Sequence, residues 1–240
     1  MKIGIIGCGW LGKPLATSLA KEHRVECYAR KTHDDAGLNY IVHPEKEHSF
    51  WKNDIFIISI STKGGYLDTL RKIARSAQPK ASIILMSSTS VYKEFDTDVD
   101  EEALIRQKTL QKEAEELMIG LRGRILILRL GGLMGDDRIA GRWNSSSRFA
   151  DGPVNYIHQD DVINIVHKMI TMDILEGIFN LVAPEHPLRS QVHKKNSEAF
   201  GFEQRDFEGE THRIVSSEKL IKYLDYSFVH PDPLEFWTAC

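Results

Sequence analysis

Short, almost entirely apolar runs alternate along the chain with segments whose apolar residues recur at helical spacing. The predicted strands are Lys2–Ile6, Arg24–Tyr28, Asn39–Val42, Asp54–Ser59, Ser82–Met86 and Arg124–Arg129. The predicted helices are Leu11–Glu22, Tyr66–Ala77 and Glu101–Leu121. Continuous apolar strands are typical of a parallel sheet that is covered on both faces. We therefore predict an α/β fold with a doubly wound parallel sheet and right-handed crossovers.

The first predicted strand leads directly into a glycine-rich turn. Gly7, Gly9 and Gly12 stand at Gly-x-Gly-x-x-Gly spacing, and a helical pattern follows them. In such a turn the first glycine permits the bend, the second lets the backbone approach a pyrophosphate, and the third lets the helix lie close to the strand. The pattern predicts a dinucleotide site of Rossmann type, formed by Gly7, Cys8, Gly9, Trp10, Leu11 and Gly12. The alternative is a glycine turn that holds no ligand.

The pattern changes after Leu130, where a loop-rich stretch runs to Pro153. The predicted elements beyond it are a strand (Val154–Ile157), a helix capped by Asp161, a strand (Ile178–Val182) and a helix near Arg189–Phe200. We predict a dinucleotide-binding Rossmann core over residues 1–130. Residues 131–240 are predicted to complete the sheet and to form a small substrate lobe in the same compact unit.

The charge, hydropathy and cysteine content of the chain indicate which kinds of partner to expect. The 240 residues carry a net charge of −3, which argues against a general nucleic-acid binder. No apolar run is long enough to span a membrane, and the chain opens on its first strand rather than on a leader. The three cysteines are Cys8, Cys27 and Cys240; few in number and without metal-type spacing, they favour a reducing, cytoplasmic location. We expect a monomer or homodimer with a small-molecule substrate and no metal site.

The fifth predicted strand ends in Ser87-Ser-Thr-Ser-Val-Tyr92. With the opening glycines, this stretch resembles the extended short-chain dehydrogenase/reductase superfamily, which includes nucleotide-sugar epimerases and dehydratases. Further matches are Leu128-Arg-Leu-Gly-Gly-Leu-Met-Gly135, Asn155-Tyr-Ile-His-Gln-Asp-Asp-Val162, Gly177-Ile-Phe-Asn180, Ile214-Val-Ser-Ser-Glu-Lys-Leu220 and Pro231-Asp-Pro-Leu234. The resemblance covers almost the whole chain and implies an NAD(P)-dependent oxidoreductase.

The catalytic pair of that superfamily is incomplete in this sequence. The resemblance makes Ser88 the residue that polarises the substrate oxygen, and it places Lys112 at the position of the ribose-binding lysine. Lys108 then stands where the proton-donating tyrosine is expected, and no tyrosine occurs between Tyr92 and Tyr156. Tyr92 is a candidate replacement donor, with a packing role as the alternative. For Lys112 the alternative is an exposed i,i+4 pair with a glutamate.

The end of the second strand selects the cofactor. An acidic residue there would bind the ribose 2′-hydroxyl of NAD, but Ala29 stands at that position. Arg30, Lys31 and Thr32 follow, and two cations suit the 2′-phosphate of NADP. We therefore predict NADP rather than NAD, with a solvated basic turn as the alternative. The remaining predicted cofactor contacts lie after later strands, at Ser59, Ile60, Ser61 and Ser87.

The sequence is compatible with three functions. The first is an NADP-dependent, epimerase/dehydratase-like oxidoreductase acting on a small carbonyl or sugar-nucleotide substrate, with atypical or absent chemistry. The second is a non-catalytic NADP-binding sensor or interaction protein, which the missing tyrosine favours. The third is a hydroxyacid-type dehydrogenase, suggested by the glycine turn alone; its long all-helical C-terminal domain disagrees with the strand pattern over residues 154–184. His158 is interpreted as a packing or hydrogen-bonding residue, with a proton shuttle as the alternative.

Overall fold

A computed structural model describes residues 1–29, 38–42, 44–45, 48–135, 137–142 and 149–237. Its strands are β1 (Lys2–Ile6), β2 (Arg24–Ala29), β3 (Asn39–Val42), β4 (Ile55–Ile58), β5 (Ser82–Ser88), β6 (Ile125–Leu130), β7 (Gly132–Met134), β8 (Phe149–Asp151), β9 (Tyr156–His158), β10 (Gly177–Leu181) and β11 (Phe207–Glu210). Its α-helices are α1 (Gly12–Leu19), α2 (Tyr66–Ser76), α3 (Leu110–Leu121), α4 (Gln159–Thr171), α5 (Arg189–Phe200) and α6 (Glu218–Leu224).

Seven strands form the central sheet in the order β10-β6-β5-β4-β1-β2-β3. Strand β1 pairs in parallel with β2 and β4, while β2 pairs in parallel with β3 and β4 with β5. The first six strands therefore have the Rossmann order 3-2-1-4-5-6, in which the strand order reverses between β1 and β4. The predicted doubly wound parallel sheet is confirmed.

The described residues divide into two compact units, each made of several chain segments. The first unit comprises Met1–Ser88, Lys108–Leu128 and Val166–Ile178, and the second comprises Thr89–Gln107, Arg129–Ile165 and Phe179–Cys240. The core of the first unit contains the fully buried Phe56, Ile58 and Ile83, which explains why β4 and β5 are apolar on both faces. The sequence-based division after residue 130 stays a prediction.

Among its described residues, the second unit contains two small sheets and two apolar clusters. Strand β7 pairs with β9, and β8 pairs with β11. One cluster is built around Val154, Tyr156 and Trp237, and the other around Tyr92 and Val215. Among the helices in the described part of the chain, none has both the length and the apolar character needed to cross a membrane.

Two predicted helix starts are wrong. Helix α3 begins at Leu110 rather than Glu101, because the side chain of Thr109 accepts a hydrogen bond from the amide of Lys112 and caps the helix there. Helix α4 begins at Gln159, so Asp161 lies in its first turn and is not its cap. The Asp161 carboxylate instead accepts hydrogen bonds from residues in the segment 226–230.

Candidate functional site

The three glycines after β1 differ in their surroundings. Gly7 has a φ of +98°, and a Cβ atom added to it would clash with the backbone carbonyl of Ser59. A Cβ atom on Gly12 would clash with the carbonyl oxygen of Gly7, so this glycine allows α1 to lie against the turn. A Cβ atom on Gly9 would meet no described protein atom within 4 Å. Two of the glycines are therefore needed by the fold, whereas Gly9 leaves open space beside the backbone.

The turn lies at the point where the order of the strands reverses. The amide of Gly7 donates to the carbonyl of Tyr28 at the end of β2, and the amide of Ser59 donates to the carbonyl of Ile6 at the end of β1. Leu11 precedes α1 and supplies no side-chain cap within the described ranges. The carboxyl ends of β1 and β4 thus meet beside a helix N-terminus, the position at which α/β sheets bind ligands.

The turn is tied to β2 by a disulfide that the sequence analysis did not predict. Cys8 and Cys27 are bonded to each other, and both are buried. Pairing is possible because β1 and β2 are adjacent and parallel, with Ile5 opposite Cys27. The expectation of a reducing compartment stays a prediction.

The remaining predicted contacts with the cofactor are only partly described. Ser59 and Ile60 are half-buried after β4, and Ser61 is exposed, with its hydroxyl oxygen accepting from the amide of Lys63. Arg30, Lys31 and Thr32 lie outside the described residues, so their predicted contact with a 2′-phosphate stays a prediction. Within the turn itself, Trp10 is half-buried and Leu11 is buried.

A buried carboxylate lies at the end of β5 in the first unit. The hydroxyl of Ser87 donates to Oε1 of Glu115 at 2.6 Å, and Glu115 is only 1% exposed. Burial, with a further contribution from the charge of Glu115, raises the pKa of Tyr66 to about 12. Sequence reasoning missed Glu115, although its position three residues before the buried Met118 places it on the inward face of α3.

Lys112 and Ser88 lie on neighbouring elements of the first unit, α3 and β5. Ser88 is half-buried as the last residue of β5. The Nζ atom of Lys112 lies 3.5 Å from Oε1 of Glu116, which is the i,i+4 pair considered as the alternative. The acid of α3 that reaches β5 is Glu115. The catalytic assignments of Ser88 and Lys112 stay predictions.

Tyr92 belongs to the second unit and is fully buried. Its hydroxyl donates to Oδ1 of Asn180 at 3.0 Å and accepts from the guanidinium of Arg129 at 2.6 Å. Burial raises the pKa of this phenol, against the opposing effect of the Arg129 charge. Both hydrogen-bonding functions of the hydroxyl are engaged within the protein, which favours the packing role over a proton donor.

The fold of this chain is similar to that of several solved proteins. Solved epimerase/dehydratase and short-chain dehydrogenase/reductase proteins share the fold over nearly the whole chain, so the predicted resemblance is confirmed at the level of the fold. One of them is UDP-glucuronic acid 4-epimerase from Bacillus cereus, solved with NAD: its TM-score is 0.78 at 16% identity, with 98% of this chain and 97% of that chain covered. Human epimerase family protein SDR39U1, solved with NADPH, has a TM-score of 0.70 at 14% identity, with 98% and 97% covered.

A curated relative also spans the chain. Protein YeeZ of Escherichia coli (strain K12) is 27% identical to it, with 97% of each chain covered. No protein-family model matches the sequence.

Proposed function

We propose that the glycine turn binds a nicotinamide dinucleotide. The observation that carries this proposal is the position of the open space at Gly9, which lies in the turn before α1 where the strand order reverses. Gly7 and Gly12 are required by the fold, whereas a Cβ atom on Gly9 would meet no described atom within 4 Å. A pyrophosphate that approaches the backbone closely would use this space, and the N-terminus of α1 offers N–H groups to the phosphates. The NAD and NADPH of the two epimerase-fold neighbours support the same class of ligand.

The preferred cofactor is NADP. Support comes from the residue types at the end of β2, where Ala29 replaces the acidic residue that selects NAD and Arg30 and Lys31 follow. A guanidinium binds a phosphate bidentately, and a second cation nearby strengthens this contact.

The proposed activity is that of an epimerase/dehydratase-like oxidoreductase acting on a small carbonyl or sugar-nucleotide substrate. A bound nicotinamide supplies hydride transfer. Ser88, at the end of β5, is the candidate hydrogen-bond donor to the substrate oxygen. Glu115 fixes the hydroxyl of the neighbouring Ser87 and so orients the end of the strand that carries Ser88. The nucleotide sugars bound by epimerase-fold neighbours, such as UDP-glucuronic acid and UDP-glucose, support this class of substrate.

A non-catalytic NADP-binding protein is the second candidate. It is favoured by the position of Lys112, which pairs with Glu116, and by the lack of any tyrosine on α3. Proton transfer from a positioned group is commonly worth about 10²–10⁴ in rate, so its loss would leave binding intact and turnover slow.

Calorimetric titration with NADP and NAD tests the cofactor. Wild type is expected to bind NADP more tightly, Arg30→Ala to lose this preference, and Gly9→Val to lose binding while remaining folded. Gly123→Val is the matched control, because a Cβ atom on Gly123 also meets no described atom within 4 Å. Equal or tighter binding of NAD by wild type contradicts the choice of NADP. Binding that persists in a folded Gly9→Val variant contradicts the site.

Oxidation of NADPH with a panel of keto-sugars and aldehydes tests the activity. Ser88→Ala is expected to lower turnover by roughly 10²-fold with little change in NADP affinity, because the lost hydrogen bond acts mainly on the transition state. Turnover that is unaffected by Ser88→Ala contradicts the role of this serine. Tight NADP binding without turnover on any substrate favours the non-catalytic protein.

A further inference from the structure

Two imidazoles and one carboxylate meet in the second unit. The Nδ1 atom of His158 lies 3.5 Å from Oδ2 of Asp160, and the Nε2 atom of His230 lies 3.3 Å from the same oxygen. Each of the three residues offers one ligand atom, and these atoms all lie within 4.8 Å of one another. The centroids of the two imidazole rings lie 3.8 Å apart, and the ring planes are tilted by 38°. The proposed nucleotide site uses none of these residues.

The two separations measured from Asp160 match the spacing of ligands around a zinc ion. Bonds from Zn²⁺ to imidazole nitrogen and carboxylate oxygen are about 2.0–2.2 Å long, which puts neighbouring tetrahedral ligands roughly 3.3–3.5 Å apart. The two separations from Asp160 already have this length. Two imidazole nitrogens with one carboxylate oxygen are also a ligand set found in zinc sites.

The position of His230 is fixed by a buried aspartate. The carboxylate of Asp161, which is 0% exposed, accepts hydrogen bonds from the amides of Val229 and His230 and from the hydroxyl of Tyr226. These bonds hold the segment 226–230 over the first turn of α4. The ring of Phe236 packs edge-on against both imidazoles. The cluster therefore rests on a rigid support, which a metal site needs if its ligands are to stay in place.

The hydrogen bonding and exposure of the cluster suit a metal ion. The amide of Asp160 donates to Nδ1 of His158 at 3.3 Å, so this nitrogen carries a lone pair; a metal ion would replace this long hydrogen bond. His158 is buried, whereas the side chain of Asp160 is 56% exposed. An ion can therefore enter from solvent on the Asp160 side, and water can supply a fourth ligand.

We propose that His158, Asp160 and His230 bind one Zn²⁺ ion, with solvent as the fourth ligand. This site differs from the expectation of no metal, since His230 stands 70 residues after Asp160 and reaches it through the contact of segment 226–230 with α4. The ion would link the segment 226–230 to α4. Because it would bind the folded chain and not the unfolded one, it would stabilise the folded state.

The test is calorimetric titration of untagged, chelator-treated protein with Zn²⁺ alone, followed by thermal unfolding with and without the ion. Wild type is expected to bind one Zn²⁺ per chain and to gain thermal stability. His230→Ala, which keeps the backbone bond to Asp161, and Asp160→Asn are expected to weaken binding at least about ten-fold and to lose the thermal gain. His212→Ala is the matched control, since His212 is an exposed histidine outside the cluster.

The outcomes separate a site from incidental surface binding. Absence of one-to-one binding by wild type overturns the proposal, as does equal affinity in wild type and in both cluster variants. Loss of binding in His212→Ala also overturns it, because that result would place the ion elsewhere. Circular dichroism of each variant establishes that a loss of binding is not a loss of fold, and Asp160→Asn, at an exposed position, remains informative if His230→Ala does not fold.

Discussion

The hydroxyl of Tyr92 lies between the guanidinium of Arg129 and the amide of Asn180, with its ring fully buried. The guanidinium carbon also lies 5.1 Å from the centroid of the ring, so the cation contacts both the hydroxyl and the aromatic face. A buried cation depends on such contacts to offset the loss of hydration. At the scale of the single residue, Tyr92 is therefore a support for a buried charge.

Tyr92→Phe is expected to lower the free energy of unfolding by about 1.5–3 kcal/mol, the usual contribution of a hydrogen bond to a charged group. Urea denaturation measures this change, and Tyr223→Phe, at an exposed tyrosine, is the control. NADP affinity should not change. A large loss of turnover at unchanged stability would instead identify Tyr92 as the proton donor.

The glycines of the turn show what single residues in a sequence can predict. The roles expected for Gly7 and Gly12 follow from backbone geometry alone, and the structure has both. The contacts of Glu115 and Arg129 were not predicted, because each depends on a side chain that is remote along the chain. For Arg129 the available signal was a charged residue within an apolar strand, and for Glu115 it was the spacing from Met118 on α3.

At the scale of the element, the start of α3 is set by Thr109 and by the segment before it. The carboxylate of Glu94 accepts hydrogen bonds from the amides of Arg106 and Gln107, which keeps these residues out of the helix. The strands of the central sheet were predicted closely, and β1, β4, β5 and β6 show their burial as apolar runs, whereas β7, β8 and β11 were not predicted. The start of α3 was not predicted, because the carboxylate of Glu94 binds the amide of Arg106 across a separation of twelve residues.

Thr109→Ala is expected to lower the free energy of unfolding by about 1 kcal/mol, since the amide of Lys112 loses its capping partner. Chemical denaturation gives the value. Thr17→Ala is the matched control, because the Thr17 hydroxyl bonds to a carbonyl within α1 and caps nothing. An equal effect of the two substitutions would show that the cap does not stabilise α3.

Asp161 connects α4 to the segment 226–230 through three hydrogen bonds. Its side chain is fully buried. Asp161→Ala is expected to lower the free energy of unfolding by at least about 3 kcal/mol, because buried donors lose an ionised acceptor. Denaturation in a buffer with a chelator measures the change without any contribution from metal. Asp160→Ala, at the exposed neighbouring position, should cost far less; similar losses would mean that segment 226–230 is held by other contacts.

At the scale of the whole molecule, stability should depend on pH through His193 on α5. Burial, and then the charge of Arg189, lower the pKa of this imidazole to about 4, against the opposing charge of Asp151. The hydroxyl of Tyr156 lies 3.4 Å from its Nε2 atom. The unfolded chain binds a proton at this histidine near pH 6.5, whereas the folded chain does so only near pH 4.

The stabilising effect of a neutral His193 is therefore complete above about pH 6.5 and is lost as the pH falls toward 4. The loss for wild type should reach about 3 kcal/mol from this group alone, and it should be smaller in His193→Gln. Denaturation curves at several pH values provide the comparison, with His212→Gln as the exposed control. Parallel pH profiles for wild type and His193→Gln would show that the buried imidazole does not carry this dependence.

Cys8 and Cys27 are 19 residues apart in the sequence, and the bond between them closes a covalent ring. The whole of α1 lies within this ring. Such a ring restricts the denatured chain, so reduction should lower the free energy of unfolding by about 3 kcal/mol. Urea denaturation with and without a reductant measures this, and Cys27→Ser should not respond to the reductant. Denatured wild type should also take up two fewer iodoacetamide labels before reduction than after it, whereas equal labelling would show that the ring is open. With the bond intact, α1 and the part of the glycine turn that follows Cys8 would stay inside a closed loop even in a fully denatured chain.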